Sequence, residues 1–140
     1  MPFGLPPGDR PAGTVPVVPS ARHLSYRGDW VVVEVTGDLD LAAAPALRQE
    51  VLALLQEGHR AIVVDLSPTD FLDSVGLGTL VSIWKRVRVH GGSFALVCPE
   101  PRLQRIFRVV DLDRILPLHA TVDEALGPGA ATPGSVSSRE

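Results

Sequence analysis

The side chains best placed for chemistry lie in Asp70–Leu80, DFLDSVGLGTL, which follows an apolar run and opens an amphipathic one. Ser74 falls at or next to the N-cap of the expected helix. Free backbone N–H groups and the positive end of the helix dipole point to that position. Gly76 and Gly78 take side-chain bulk off the first turn, so another molecule can come close. A phosphoryl group on Ser74 would sit where anions are favoured. The competing reading is structural. Serine is a common helix cap, and the glycines can serve close packing of helix on sheet. The residues by themselves leave both readings open.

Other candidates carry less. Gly37-Asp38-Leu39-Asp40 places two carboxylates after a strand, where they could bind a metal, orient a hydroxyl or cap the next helix. Gly and Asp are also ordinary turn residues. Asp65 ends an apolar strand, a place for an acceptor aspartate or simply a polar strand terminus. His23, His59, His90 and His119 lie far apart in sequence without metal-ligand spacing, and all fall at element ends, which predicts surface positions. Cys98 ends another apolar strand and reads as a small core residue. Arg102, Arg105 and Arg108 form one basic stripe, either a solvated face or a docking surface. No phosphate-cradling loop with lysine and no dinucleotide fingerprint is present.

Composition bounds the function. The chain has 140 residues, enough for one domain with its own core. A single cysteine excludes an internal disulfide and a cysteine-based zinc site. No window approaches the roughly 18 apolar residues of a membrane helix. The first residues lack a basic segment followed by an apolar run, so no secretory leader is expected and a reducing cytoplasm is the expected location. A net charge of −3 argues against direct nucleic-acid binding, which relies on an excess of Lys and Arg. Of the 13 prolines, six precede residue 20, too dense for a helix or central strand. Residues 1–20 therefore read as a flexible arm, 21–126 as the domain, and 127–140 as a disordered Gly/Pro/Ser tail. Removing the arm is expected to leave the fold intact.

Two periodicities alternate between arm and tail. Residues 22–26 suit a short edge strand, Trp30–Val35 (WVVVEV) a clear strand, then Gly37 and Asp38 a break. Leu47, Val51, Leu54 and Leu55 repeat at helical spacing over 46–56, with Pro45 at the start and Gly58 as the stop. Residues 61–66 and 93–98 are continuous apolar runs, expected as buried strands. Leu77, Leu80, Val81, Trp84 and Val87 predict a helix over 75–90. Leu103, Ile106, Phe107 and Val110 predict another over 102–110. A short strand at 115–118 and a helix at 121–126, with Thr121 and Glu124 at capping-box spacing, complete the pattern. Alternating strands and helices predict an α/β fold with largely parallel pairing. The loops at 37–40 and 70–74 should then lie together at one edge of the sheet.

Taken in order, VEVTGDLD, an Ala-rich turn into a helix, IVVDLS, FLDSVGLGTL and GGSFALVCPEPRLQRIF resemble the STAS domain family, within it the stand-alone anti-sigma factor antagonists. The resemblance runs from about residue 30 to 126. It implies a single STAS-type domain, a mixed four- to five-stranded sheet flanked by about four helices. It further implies no cofactor, no metal and no catalytic activity. The implied partners are an anti-sigma factor with serine-kinase activity and a phosphatase, with no nucleic acid or membrane. Carried onto these positions, Ser74 is the phosphoacceptor. Asp40, Asp73, Val75 and Gly76 join it as the partner-binding set, while Gly37 and Leu77 match structural positions. Many members carry a second hydroxyl residue after the acceptor. Here that position is Val75, which leaves one candidate hydroxyl.

A scaffold or transport-accessory STAS subunit without kinase control is the second reading, disfavoured by the intact DSVGL segment. A small α/β enzyme using Asp38, Asp40 or Asp65 is the third. No nucleophile–base pair or cofactor motif supports it.

Overall fold

The computed structural model describes residues 22–127. The expected arm and all of the expected tail beyond Gly127 lie outside the described residues. Seven strands and four helices follow in the order β1 (Arg22–Arg27), β2 (Trp30–Val35), β3 (Gly37–Leu39), α1 (Ala44–Gln56), β4 (Ala61–Asp65), β5 (Thr69–Leu72), α2 (Ser74–Val89), β6 (Ser93–Val97), α3 (Pro101–Val109), β7 (Leu118–His119) and α4 (Val122–Leu126). A 3-10 turn at Leu112–Arg114 joins α3 to β7.

The main sheet has the order β1-β2-β4-β6-β7. β1 runs antiparallel to β2 and every other pairing is parallel. This is the expected mixed sheet with helices on both sides. Side chains alternate across a strand, and the two faces differ. Val31, Val33, Val35, Ile62, Val64 and Leu96 point into the large core shared with α1, α2 and α3. Val32, Val63, Ala95 and Val97 point the other way, where α4 covers them through Leu126. An exposed ion pair, Arg27 to Asp123 at 2.6 Å, ties α4 to β1. Because both faces are covered, β4 is apolar at every position from Ile62 to Val64, which is why it shows no alternation.

The structure corrects the sequence reading in several places. Gly37–Leu39 is not a break but a second strand, paired in parallel with β5 in a separate two-stranded sheet. Gly37 makes the turn possible at φ +89°, and its N–H donates to the Pro68 carbonyl at 3.1 Å. The buried Thr69 hydroxyl donates to the Val35 carbonyl at 2.7 Å and knits the small sheet to the large one. The strand expected at 115–118 sits instead at Leu118–His119, because the Ile115 and Leu116 N–H groups turn back to the Leu112 carbonyl at 3.0 and 2.8 Å. Val110 is half exposed, because α3 ends one residue before it.

Candidate functional site

The site is built where β3 and β5 end and α2 begins. Asp73, not Ser74, is the N-cap of α2. Its backbone is extended, and its Oδ1 accepts from the Gly76 N–H at 2.8 Å. Its other oxygen, Oδ2, accepts from the Leu41 N–H at 3.1 Å, in the loop that follows β3. The Asp73 N–H donates to the Leu39 carbonyl at 3.3 Å. One carboxylate thus caps a helix and fastens a second loop to it. The loops at 37–40 and 70–74 lie together as expected.

With the cap taken by Asp73, the Ser74 hydroxyl has no structural task. Ser74 is the first residue of α2, it is exposed, and its Oγ makes no hydrogen bond among the described residues. The reading of Ser74 as merely a cap is therefore set aside. Two adjacent residues, Asp73 and Ser74, were both eligible, and the chain uses the first.

Asp40 organises the neighbouring loop. Its Oδ1 accepts from the N–H groups of Ala42 and Ala43, both at 3.1 Å, and its carbonyl accepts from Ala44 at 2.8 Å. Ala43 stands at the N-cap of α1 without a capping side chain, and Asp40 shapes the turn that leads into it. Asp38 is exposed on the same side. The arrangement is that of a local turn. Among the described residues no three His, Cys, Asp or Glu side chains come together to hold a metal.

The two glycines divide. Gly76 is buried, and a Cβ there would run into the Leu39 carbonyl oxygen and stand 3.0 Å from Leu72 Cδ1. Its missing side chain serves contact within the chain, not the approach of another molecule. Gly78 faces open space. Leu77 is an inward anchor of α2, while Val75 is 40% exposed beside Ser74. Sequence reasoning missed two neighbours. Leu41 is 68% exposed and Phe71 48% exposed, and both belong to the segments that Asp73 joins or adjoins. Their only signal is that they are large apolar residues outside any helical or strand period.

The remaining candidates stay apart. Asp65 is buried, and its Oδ1 is occupied by the Ser67 N–H at 2.9 Å and hydroxyl at 2.6 Å, a local turn. His59 and His119 are half-buried rather than at the surface, and His90 is exposed with Nδ1 2.9 Å from the Arg86 carbonyl. Cys98 is fully buried. Burial pushes its thiol up to about 11, so at neutral pH it is protonated and inert. Arg102 donates to the Asp70 carbonyl at 2.9 Å, which ties α3 to the first half of β5.

This geometry has relatives. The anti-sigma-B factor antagonist of Bacillus subtilis is 32% identical over 90 residues, 64% of this chain and 82% of that protein. The solved anti-sigma factor antagonist from Mycobacterium paratuberculosis superposes with a TM-score of 0.70 at 33% identity, over 76% of this chain and 91% of that one. The phosphorylated form of SpoIIAA, a Bacillus cell fate determinant, gives a TM-score of 0.59 at 25% identity, over 76% of this chain and 96% of that one. Residues 22–125 match the family described as STAS domain, and so the chain belongs to the STAS domain family, with relatives named anti-sigma factor antagonists.

Proposed function

We propose that this chain is an anti-sigma factor antagonist switched at Ser74. It binds an anti-sigma factor with serine-kinase activity and so frees a sigma factor. That kinase phosphorylates Ser74 and ends the binding, and a phosphatase restores it. The chain itself acts in the cytoplasm as a regulator, without a cofactor or a catalytic step of its own.

The observation that carries the reading is the idle hydroxyl of Ser74, exposed at the start of α2 while its neighbour Asp73 holds the cap. A kinase can reach such a hydroxyl without unfolding anything. The surroundings also suit a binding face. Leu41, Phe71 and Val75 expose large apolar side chains around it. A partner that covers them removes apolar surface from water at about 25 cal/mol per Å².

The same surroundings make phosphorylation an effective switch. A phosphoserine brings about −1.5 to −2 charge at pH 7. It would arrive beside Asp73, with Asp38 on β3, Asp40 on the loop after it and Asp70 on β5. A docked apolar partner would face repulsion and the cost of desolvating the phosphate. A loss of only about 3 kcal/mol weakens binding by more than a hundredfold. No refolding is needed.

Titration calorimetry with the purified cognate anti-sigma factor tests the reading. Ser74→Ala should bind as the unmodified chain does, and Ser74→Asp should bind far more weakly. Equal affinities for the two variants, or no binding by the unmodified chain, would sink it.

A further inference from the structure

The basic face of α3 has no role in the switch as described. Arg102, Arg105 and Arg108 recur at every third residue and all three are exposed. Arg102 is engaged, with its Nη2 on the Asp70 carbonyl and its Nε 4.0 Å from Glu100. Arg105 and Arg108 have no ion pair and no hydrogen bond among the described residues. Next to them Val109 is 74% exposed. Two uncompensated cations beside a bare apolar side chain are a local feature that the net charge of −3 does not predict.

The bond from Arg102 also fixes where this face lies. It holds the first turn of α3 against the first half of β5, at Asp70 and next to the exposed Phe71. The nine residues of α3 extend only about 13 Å from there. One side of an ordinary protein interface covers about 800 Å², a disc of about 16 Å radius. A partner seated over Phe71 can therefore extend onto the outer face of α3.

We propose that the outer face of α3, formed by Arg105, Arg108 and Val109, is a docking surface for an acidic segment of the anti-sigma factor. The proposal rests on the function given above and adds the chemistry of the partner. The footprint is then two-sided, with Asp38, Asp40, Asp70 and Asp73 around Ser74 and guanidinium groups on α3. A partner of uniform charge is repelled by one half or the other, so the pair sets orientation and selects the right partner. Planar guanidinium forks hold carboxylates in a bidentate manner, and Val109 supplies an apolar contact beside them.

The experiment pairs charge reversal with amide-shift mapping, using the full chain and the purified cognate anti-sigma factor. R105E/R108E should raise Kd by about tenfold or more at low salt, and the gap should close as salt rises to about 0.5 M. R105K/R108K keeps the charge but loses the fork, and its Kd should fall between those of the parent and the reversed variant. Should the reversed variant melt early by circular dichroism, R105Q/R108Q carries the same test. Amide shifts should move both around Ser74 and along α3. Shifts confined to the Ser74 loops, or a reversed or neutral variant binding within about twofold of the parent at all salt concentrations, overturn the α3 proposal alone. Absence of binding by the unmodified chain overturns the proposed function and this inference with it.

Discussion

Replacing Gly76 by alanine tests how closely α2 is seated on the end of β3. The added methyl would overlap the Leu39 carbonyl oxygen and stand 3.0 Å from Leu72 Cδ1 and 3.1 Å from Leu39 Cγ. The first obstacle is main chain, so no rotamer change relieves it. Either α2 lifts or β3 moves, and both stretch the Asp73 contacts to Leu39 and Leu41. Overpacking of this kind costs about 1–3 kcal/mol, and a main-chain obstacle points to the upper end. Alanine returns up to about 1 kcal/mol of helix propensity over glycine. The net expectation is a loss of about 2 kcal/mol, a fall of roughly 8–12 °C in Tm for a domain of this size. Gly78→Ala is the internal control, two residues on in the same helix. It meets nothing within 4 Å and has no left-handed backbone to strain. It should stabilise by up to about 1 kcal/mol. Thermal and urea melts followed by circular dichroism read both. If Gly76→Ala melts at or above the parent, or Gly78→Ala below it, the described seating of α2 on Leu39 is wrong.

Further outcomes follow from the same contacts. Asp73→Ala removes the α2 cap and the tie to Leu41 and should cost about 1–2 kcal/mol in a urea melt, whereas Asp73→Asn, which can still cap, should keep most of the stability. Equal losses in the two variants would show that the cap is not what matters. Cys98 should resist iodoacetamide at pH 8 in the folded chain and react once the chain is unfolded in urea, because its thiol is buried and raised to about 11. Rapid labelling of the folded chain would contradict that burial.

What could be read from the residues follows from their physics. WVVVEV and AIVVD announce themselves as strands because β-branched runs have few other uses. The apolar spacing of α2 placed that helix to within a residue of Ser74–Val89. β3 and β5 were not readable, since three and four residues containing Gly and Asp show no period and pair only with each other. The adjacent cap residues Asp73 and Ser74 left a one-position ambiguity that only the bond to Gly76 resolves. That ambiguity matters most, because it decides whether the Ser74 hydroxyl is structural or idle. The exposure of Leu41 and Phe71, and the tie from Arg102 to Asp70, depend on how distant segments meet and leave no local trace.

The most direct test of the switch is phosphate mapping by mass spectrometry after incubation with the cognate anti-sigma factor and ATP. A single phosphate on Ser74 is expected, absent from Ser74→Ala, which stays folded. A chain that takes up no phosphate, or a Ser74→Ala variant labelled as well as the parent, contradicts it.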